Sequence, residues 1–319
     1  SFDEIAEVIN GALNLGGDNN FGYDYLKDFE ERFIFRPRHP VTTGWELIDD
    51  ICEGGLGQGE LGVVIAPTGA GKSMALVHLG TQAIKSGKNV IHYTLELGST
   101  VIASRYDSCM TSVPLKELPS FKDMIYDKVK NLGARLIIKE YPTKSASPQT
   151  IKNHLEKLRQ RDISIDTIIV DYGDLLRPCI IRKEKRHELE TIYEDLRAIA
   201  QEYECPVWTA SQTNRSGLNA DVITMESISE AFNKCFVADF ICTISRTMED
   251  KVDNKGRMFV AKNRNGPDGL VYPMKMNTSN VQLQVLEQTE DDVIQRVVAK
   301  TAKEQKDLLA EKYKKFRGK

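Results

Sequence analysis

From residue 60 onward the chain alternates two hydrophobic patterns. Contiguous runs rich in Val and Ile occur as "LGVVIA" at 61–66, "NVIHYTLE" at 89–96, "ARLIIKEY" at 134–141, "DTIIVD" at 166–171, "PVWTAS" at 206–211 and "DFICTIS" at 239–245. Most are separated by segments whose apolar residues fall three and four apart. A run that is apolar at consecutive positions buries both faces, and helical crossovers between such runs imply a parallel sheet covered on both sides. Three later runs, "RMFVAK" at 257–262, "LVYPMKM" at 270–276 and "VQLQVLE" at 281–287, have only turn residues between them. They predict an antiparallel extension. The expected fold class is α/β, with a mostly parallel central sheet and this extension near the C-terminus.

Upstream, Phe2, Ile5, Val8, Ile9, Ala12 and Leu13 form one stripe of a short helix, which "NLGGDNN" breaks. That stripe must be buried on its own domain or on a neighbouring subunit. The pattern predicts a second helix at 23–33 ("YDYLKDFEERF") and a third at 43–51 ("TGWELIDDI"), with Thr43 as N-cap. Residues 290–319 read as a polar helix with a Lys-rich tail. The expected division is a linker helix and flexible linker at 1–19, one large domain at 20–289, and the tail at 290–319.

Composition narrows the class without naming a function. Hydrophobic content of 41% and charged content of 28% argue against disorder in these 319 residues. No apolar run approaches the roughly 20 residues of a membrane span, so no membrane partner is expected. A net charge of −3 gives no global attraction to nucleic acid, which leaves that role to local basic clusters. The six cysteines are scattered without C-x-x-C spacing, as expected of reduced thiols in a cytoplasmic protein. The chain opens on Ser1-Phe2 with no signal-peptide pattern and reads as a fragment.

The chemistry begins at "VVIAPTGAGKSMALVHLG", residues 63–80. Between a buried strand and a helix, a turn of small residues leaves successive N–H groups facing a concavity, where the helix also presents its positive end. Ala66, Pro67, Thr68, Gly69, Ala70, Gly71, Lys72, Ser73 and Met74 would form this anion cradle. Lys72 would reach the β- and γ-phosphates of ATP, and the Ser73 hydroxyl would be a ligand of Mg²⁺. The pattern G-x-x-x-x-G-K-[ST] is broken only at its first position, Ala66.

Three other strands end in polar residues. Asp171 closes "IIVDY" on the edge where open α/β sheets bind ligands, and suits a Mg²⁺-holding carboxylate, with Asp174 as fallback. Glu96 in "YTLELG" can orient and deprotonate an attacking water, although a lone Glu at a strand end is weak by itself. Gln212 in "WTASQTNRSG" can donate and accept, as a γ-phosphate sensor must. Lys262 and Arg264 in "AKNRNGPDG" are two apart and point the same way, as cations stabilising a transferred phosphoryl group within the chain or across a subunit boundary. Solvated charges beside a turn are the plainer alternative. "RPCIIRKEKRH" at 177–187 sets Arg177, Arg182, Lys183, Lys185 and Arg186 against Glu184, a cluster fit for a phosphate backbone or for a solvated face.

With these elements in order, the chain resembles the RecA-like P-loop NTPase motor domain of DnaB-type replicative helicases, most nearly the T-even-type phage branch. The likeness runs from about residue 20 to 285 and rests on "APTGAGKS", "YTLELG", "IIVDYGDLL", "ASQTNRSG" and "AKNRNGPDG". It implies that Glu96 is the catalytic glutamate, Asp171 the Walker B aspartate and Gln212 the sensor. It also implies that Lys262 and Arg264 act in trans on a neighbour's ATP. DNA loops are implied after Asp171 and from about Arg215 to Ser229, in a homo-hexamer around single-stranded DNA moving 5′ to 3′. A primase and a helicase loader are the implied partners, and the helix from Phe2 resembles a linker helix docking on the adjacent subunit. "GGLGQGEL" before the loop keeps a RecA/KaiC-like ATPase, such as a strand-exchange recombinase, as the alternative. An ATP-gated assembly platform without processive movement is a third reading.

Overall fold

The computed structural model describes residues 22–33, 38–179, 185–213 and 234–288. The expected helix from Phe2, the C-terminal tail, residues 180–184 of the basic stretch and the second implied DNA loop lie outside them. The chain divides into two units, Ser1–Arg38 and His39–Lys319.

In the first unit the helix expected at 23–33 is replaced by a turn and a short 3-10 helix, Glu30–Phe33. The Asp24 carboxylate accepts the N–H groups of Leu26 (3.1 Å) and Lys27 (3.0 Å), a local bonding pattern that competes with helix. Tyr25, Leu26 and Phe33 are exposed, so no buried face supports a longer helix.

The second unit carries, in chain order, α1 (Glu46–Ile51), β1 (Leu61–Ala66), α2 (Lys72–Lys85), β2 (Val90–Thr94), α3 (Ser99–Thr111), α4 (Lys122–Val129), β3 (Leu136–Glu140) and α5 (Pro148–Arg159). Then follow β4 (Thr167–Asp171), α6 (Lys185–Glu202), β5 (Val207–Gln212), β6 (Phe240–Ser245), α7 (Met248–Val252), β7 (Lys255–Asn263), β8 (Val271–Asn277) and β9 (Gln282–Val285). All nine expected strands form. α1 begins later than expected, because Gly44 takes φ +72°, outside the right-handed helical region. Its N-cap is Trp45 without a side-chain cap, so Thr43 is not the cap. The Thr43 hydroxyl instead accepts from Trp45 N–H (3.1 Å) and donates to Asp49 (2.7 Å).

The strands make one sheet in the order β3-β2-β4-β5-β1-β6-β7-β8-β9. The first six in that order pair in parallel; β7, β8 and β9 pair antiparallel. Along β1, Val64 and Ala66 face a core with Leu76 and Leu79 of α2 and Ile102 and Tyr106 of α3. Leu61, Val63 and Ile65 face the opposite core with Ile151 and Leu155 of α5 and Ile192, Leu196 and Ile199 of α6. Two-sided burial is what produced the unbroken apolar runs. Each such aliphatic side chain contributes about 1.5–3 kcal/mol relative to exposure.

This topology sets two edges of strand ends. The parallel strands all end on one edge, where Ala66 pairs with Gln212 and Thr94 with Asp171. The antiparallel β7 ends at the other, where Asn263 pairs with Phe240 at the start of β6.

Candidate functional site

The loop from β1 to α2 is shaped by two glycines in the left-handed region, Gly69 at φ +74° and Gly71 at φ +110°. The first helical bond of α2 runs from Ala75 N to Gly71 O, so the N–H groups of Lys72, Ser73 and Met74 have no helical acceptor. They and the helix dipole make this turn an anion seat. A cleft of about 230 Å³ opens on it, lined by Thr68, Lys72, Ser73, Glu96, Arg105 and Gln212 among others. A larger recess, about 380 Å³, lies at the opposite edge by Asn89, Arg135 and Ser164. There Asn89 donates to Ser164 and accepts from Arg135 N–H (2.7 Å), so its polar groups already satisfy one another.

Lys72 is buried, its ammonium donating to the carbonyls of Ala66 (3.3 Å) and Pro67 (3.4 Å) and lying 5.5 Å from the Tyr172 ring centre. Burial lowers its pKa, against the opposing pull of Glu96, Asp171 and Asp174. Asp171 is 0% exposed, and neither carboxylate oxygen has a hydrogen-bond partner among the described residues. Burial pushes its carboxyl up to about 6. The nearby Ser73 hydroxyl lowers it, Glu96 raises it, and Arg105 and Lys72 lower it. A buried carboxylate with uncommitted oxygens beside a hydroxyl is a hard-oxygen donor set that fits Mg²⁺, which takes few protein ligands and keeps phosphate and water oxygens. Among the described residues no cluster of three His, Cys, Asp or Glu side chains offers a competing metal site.

Gln212 joins the strand ends to the loop. Its Nε2 donates to Thr68 Oγ1 (2.8 Å), its Oε1 accepts from the Tyr172 hydroxyl (3.2 Å), and its N–H donates to Asp174 (3.1 Å). Burial pushes the Tyr172 phenol up to about 12, with Glu96, Asp174 and Asp171 adding to it, so it remains a donor. Asp174 is not the fallback metal carboxylate: it also accepts from Tyr193 (2.8 Å) and Lys234 (2.8 Å), which commits its oxygens.

Lys262 and Arg264 are not in this cleft. β1 separates the edges by about 16 Å at the ~3.3 Å rise per residue of parallel strands. Lys262 donates to Phe236 O (2.6 Å), with its ammonium 4.5 Å from that ring's centre, and Arg264 pairs with Asp239 at 3.2 Å. Both cations therefore gather on the segment just before β6.

Of the basic cluster, Arg177 is exposed and Arg186 pairs with Glu190 (3.0 Å) along α6. Lys185 opens α6, and Arg182, Lys183 and Arg215 lie outside the described residues. Sequence reasoning missed Arg105, Tyr172, Thr278 and Lys251. Arg105 lines the cleft from α3; burial lowers its pKa, opposed by Asp171 and Glu96. Its signal was position, since it borders the buried pair Ile102 and Tyr106 on the first helix after Glu96. Thr278 arrives on the β8–β9 turn, and Lys251 Nζ lies 4.0 Å from where a Cβ on Gly69 would be. Neither has a local sequence signal.

A parallel sheet with this phosphate loop, strand-end carboxylates and antiparallel extension defines a RecA-like P-loop nucleotide-binding domain. Residues 40–279 match the DnaB-like helicase C terminal domain, and the chain belongs to that family. It is 29% identical over 259 residues to a DnaB-like replicative helicase of Enterobacteria phage T4, covering 77% of this chain and 54% of that one. It is 27% identical over 239 residues to the replicative DNA helicase DnaB of Leifsonia xyli subsp. xyli, covering 71% and 52%. The chain thus spans about half the length of these relatives. Among solved structures, the ATPase domain of G40P superposes with a TM-score of 0.69 at 17% identity, covering 85% of this chain and all of that one. A DnaB-like replicative helicase studied with primase gives 0.69 at 17%, covering 89% and 71%. The recombinase alternative is not favoured by these matches. Among the described residues no helix is long and apolar enough to cross a membrane.

Proposed function

We propose that the chain is the motor part of an ATP-driven replicative DNA helicase, whose hydrolytic centre is completed by a second copy. The observation that carries this reading is the separation of Lys72, Glu96, Asp171 and Gln212 at one sheet edge from Lys262 and Arg264 at the other. One chain cannot bring both sets to one triphosphate. A head-to-tail ring can, because each copy offers its second edge to the next copy's first; a homo-hexamer is the closed form proposed here.

In this mechanism the loop from Ala66 to Met74 binds the phosphates of ATP, and Lys72 exchanges its carbonyl contacts for the β- and γ-phosphates. Ser73 and Asp171 would hold Mg²⁺, which when bound neutralises phosphate charge. Glu96 orients the attacking water and takes its proton, while Arg105 supplies charge from the same chain. Lys262 and Arg264 of the adjacent copy stabilise the charge developing on the transferred phosphoryl group. Gln212, tied to Thr68 and Tyr172, stands shortly before the segment from about Arg215 to Ser229, and Asp171 shortly before the basic stretch at 177–187. Those two segments are the proposed contacts to single-stranded DNA, and hydrolysis would move them through the strand ends that carry them. A primase and a loader are proposed partners, and the cytoplasm the proposed setting.

The test is unwinding of a 5′-tailed fork by the full-length protein with ATP and Mg²⁺. Strand separation that is lost in Glu96→Gln supports the motor. ATP turnover with no strand separation, or a helical filament in place of a closed ring by electron microscopy, would contradict it.

A further inference from the structure

Arg264, proposed to act on the neighbour's nucleotide, is held by an ion cluster that the mechanism above does not use. Asp239, the residue before β6, has a side chain only 5% exposed. Its Oδ2 accepts from Leu61 N–H (3.0 Å) and Arg197 Nε (3.0 Å). Its Oδ1 accepts from Arg197 Nη2 (3.0 Å) and pairs with Arg264 Nη1 at 3.2 Å. The Asp239 carbonyl also takes the Arg264 N–H (3.0 Å), which fixes the backbone from which that side chain leaves. Arg197 comes from α6 and is 24% exposed, whereas Arg264 is 45% exposed.

The charges decide what such a cluster can do. A buried carboxylate facing Arg264 alone would cancel the charge that a phosphoryl transition state needs. Arg197 meets the carboxylate with two parallel N–H bonds, the strongest geometry of this kind, and neutralises it first. The triad keeps one net positive charge. Arg264 uses a single nitrogen on Asp239, and its Nε and Nη2 carry no hydrogen bond among the described residues.

We propose that Asp239 and Arg197 are positioning residues for Arg264: Asp239 holds one edge of its guanidinium, and Arg197 offsets the Asp239 charge so that Arg264 keeps its own for the adjacent copy's triphosphate. This rests on the trans reading of Arg264 given above.

The experiment measures steady-state ATP turnover of the assembled full-length protein on single-stranded DNA for Arg197→Ala, Arg197→Lys, Asp239→Asn, Arg264→Ala and the Arg197→Ala/Arg264→Ala double variant. Arg197→Ala and Asp239→Asn are expected to lower kcat about ten-fold with KM for ATP within about two-fold, since each chain's own phosphate loop is intact. Arg197→Lys, which keeps the charge, recovers part of the rate. Adding Arg197→Ala to Arg264→Ala costs nothing more, because Arg197 acts through Arg264. Normal kcat in Arg197→Ala and Asp239→Asn beside a slow Arg264→Ala would overturn the positioning role and leave the trans reading standing. Normal kcat in Arg264→Ala would overturn the trans reading itself. A further loss in the double variant, or a change in KM alone, would make the cluster purely structural and overturn the proposal.

Discussion

Two buried aspartates stand at opposite edges of the sheet. Asp171 ends β4 with both carboxylate oxygens lacking a hydrogen-bond partner among the described residues, and burial pushes its pKa up. Asp239 precedes β6 with its oxygens taken by Leu61, Arg197 and Arg264. Leaving a buried carboxylate unpaired costs several kcal/mol, whereas ion pairing and hydrogen bonding repay part of that cost. The first edge carries buried carboxylate oxygens that fit a cation. The second holds a half-exposed Arg264 on a carboxylate whose oxygens are already bonded. On the proposed reading, the first edge receives the triphosphate and the second delivers cations to a neighbour's.

The sharpest break of this contrast is Lys72→Ala, which removes the buried cation of the receiving edge. ATP turnover should fall below detection, and nucleotide binding, read by a fluorescent analogue, should weaken strongly. Arg264→Ala attacks the delivering edge instead: kcat should drop about 10³-fold with nucleotide binding kept. Glu96→Gln should lower kcat by roughly 10²–10³-fold without loss of binding, as expected for a proton acceptor and not an anchor. Gln212→Ala should have the smallest effect, about ten-fold or less on kcat, with the larger consequence in how much DNA stimulates turnover. A Gln212→Ala protein with normal DNA stimulation would sever the link between Thr68 and the segment after β5.

The receiving edge was legible in the sequence for a physical reason. Strands buried on both faces write themselves as contiguous apolar runs, and a parallel sheet brings all their C-terminal ends together, so Lys72, Glu96, Asp171 and Gln212 converge without knowledge of tertiary contacts. The delivering edge was legible only in Lys262 and Arg264. Arg197 and Asp239 are 42 residues apart, on a helix and before a strand, and no local period links them. Arg105 was hidden the same way, a cation on the rim of a buried helical face. In the first unit, apolar spacing suggested a helix that Asp24 redirected into a turn, because a short polar side chain captured the N–H groups.

The central claim, that one copy's receiving edge works only with another's delivering edge, is tested most directly by mixing Arg264→Ala chains with Glu96→Gln chains in assembled rings and measuring ATP turnover. Each variant alone should be nearly inactive. The mixture should regain turnover, since interfaces form in which an intact Glu96 meets an intact Arg264 from the neighbour. A mixture as inactive as its parents, with mixed rings verified by mass, would contradict the shared site.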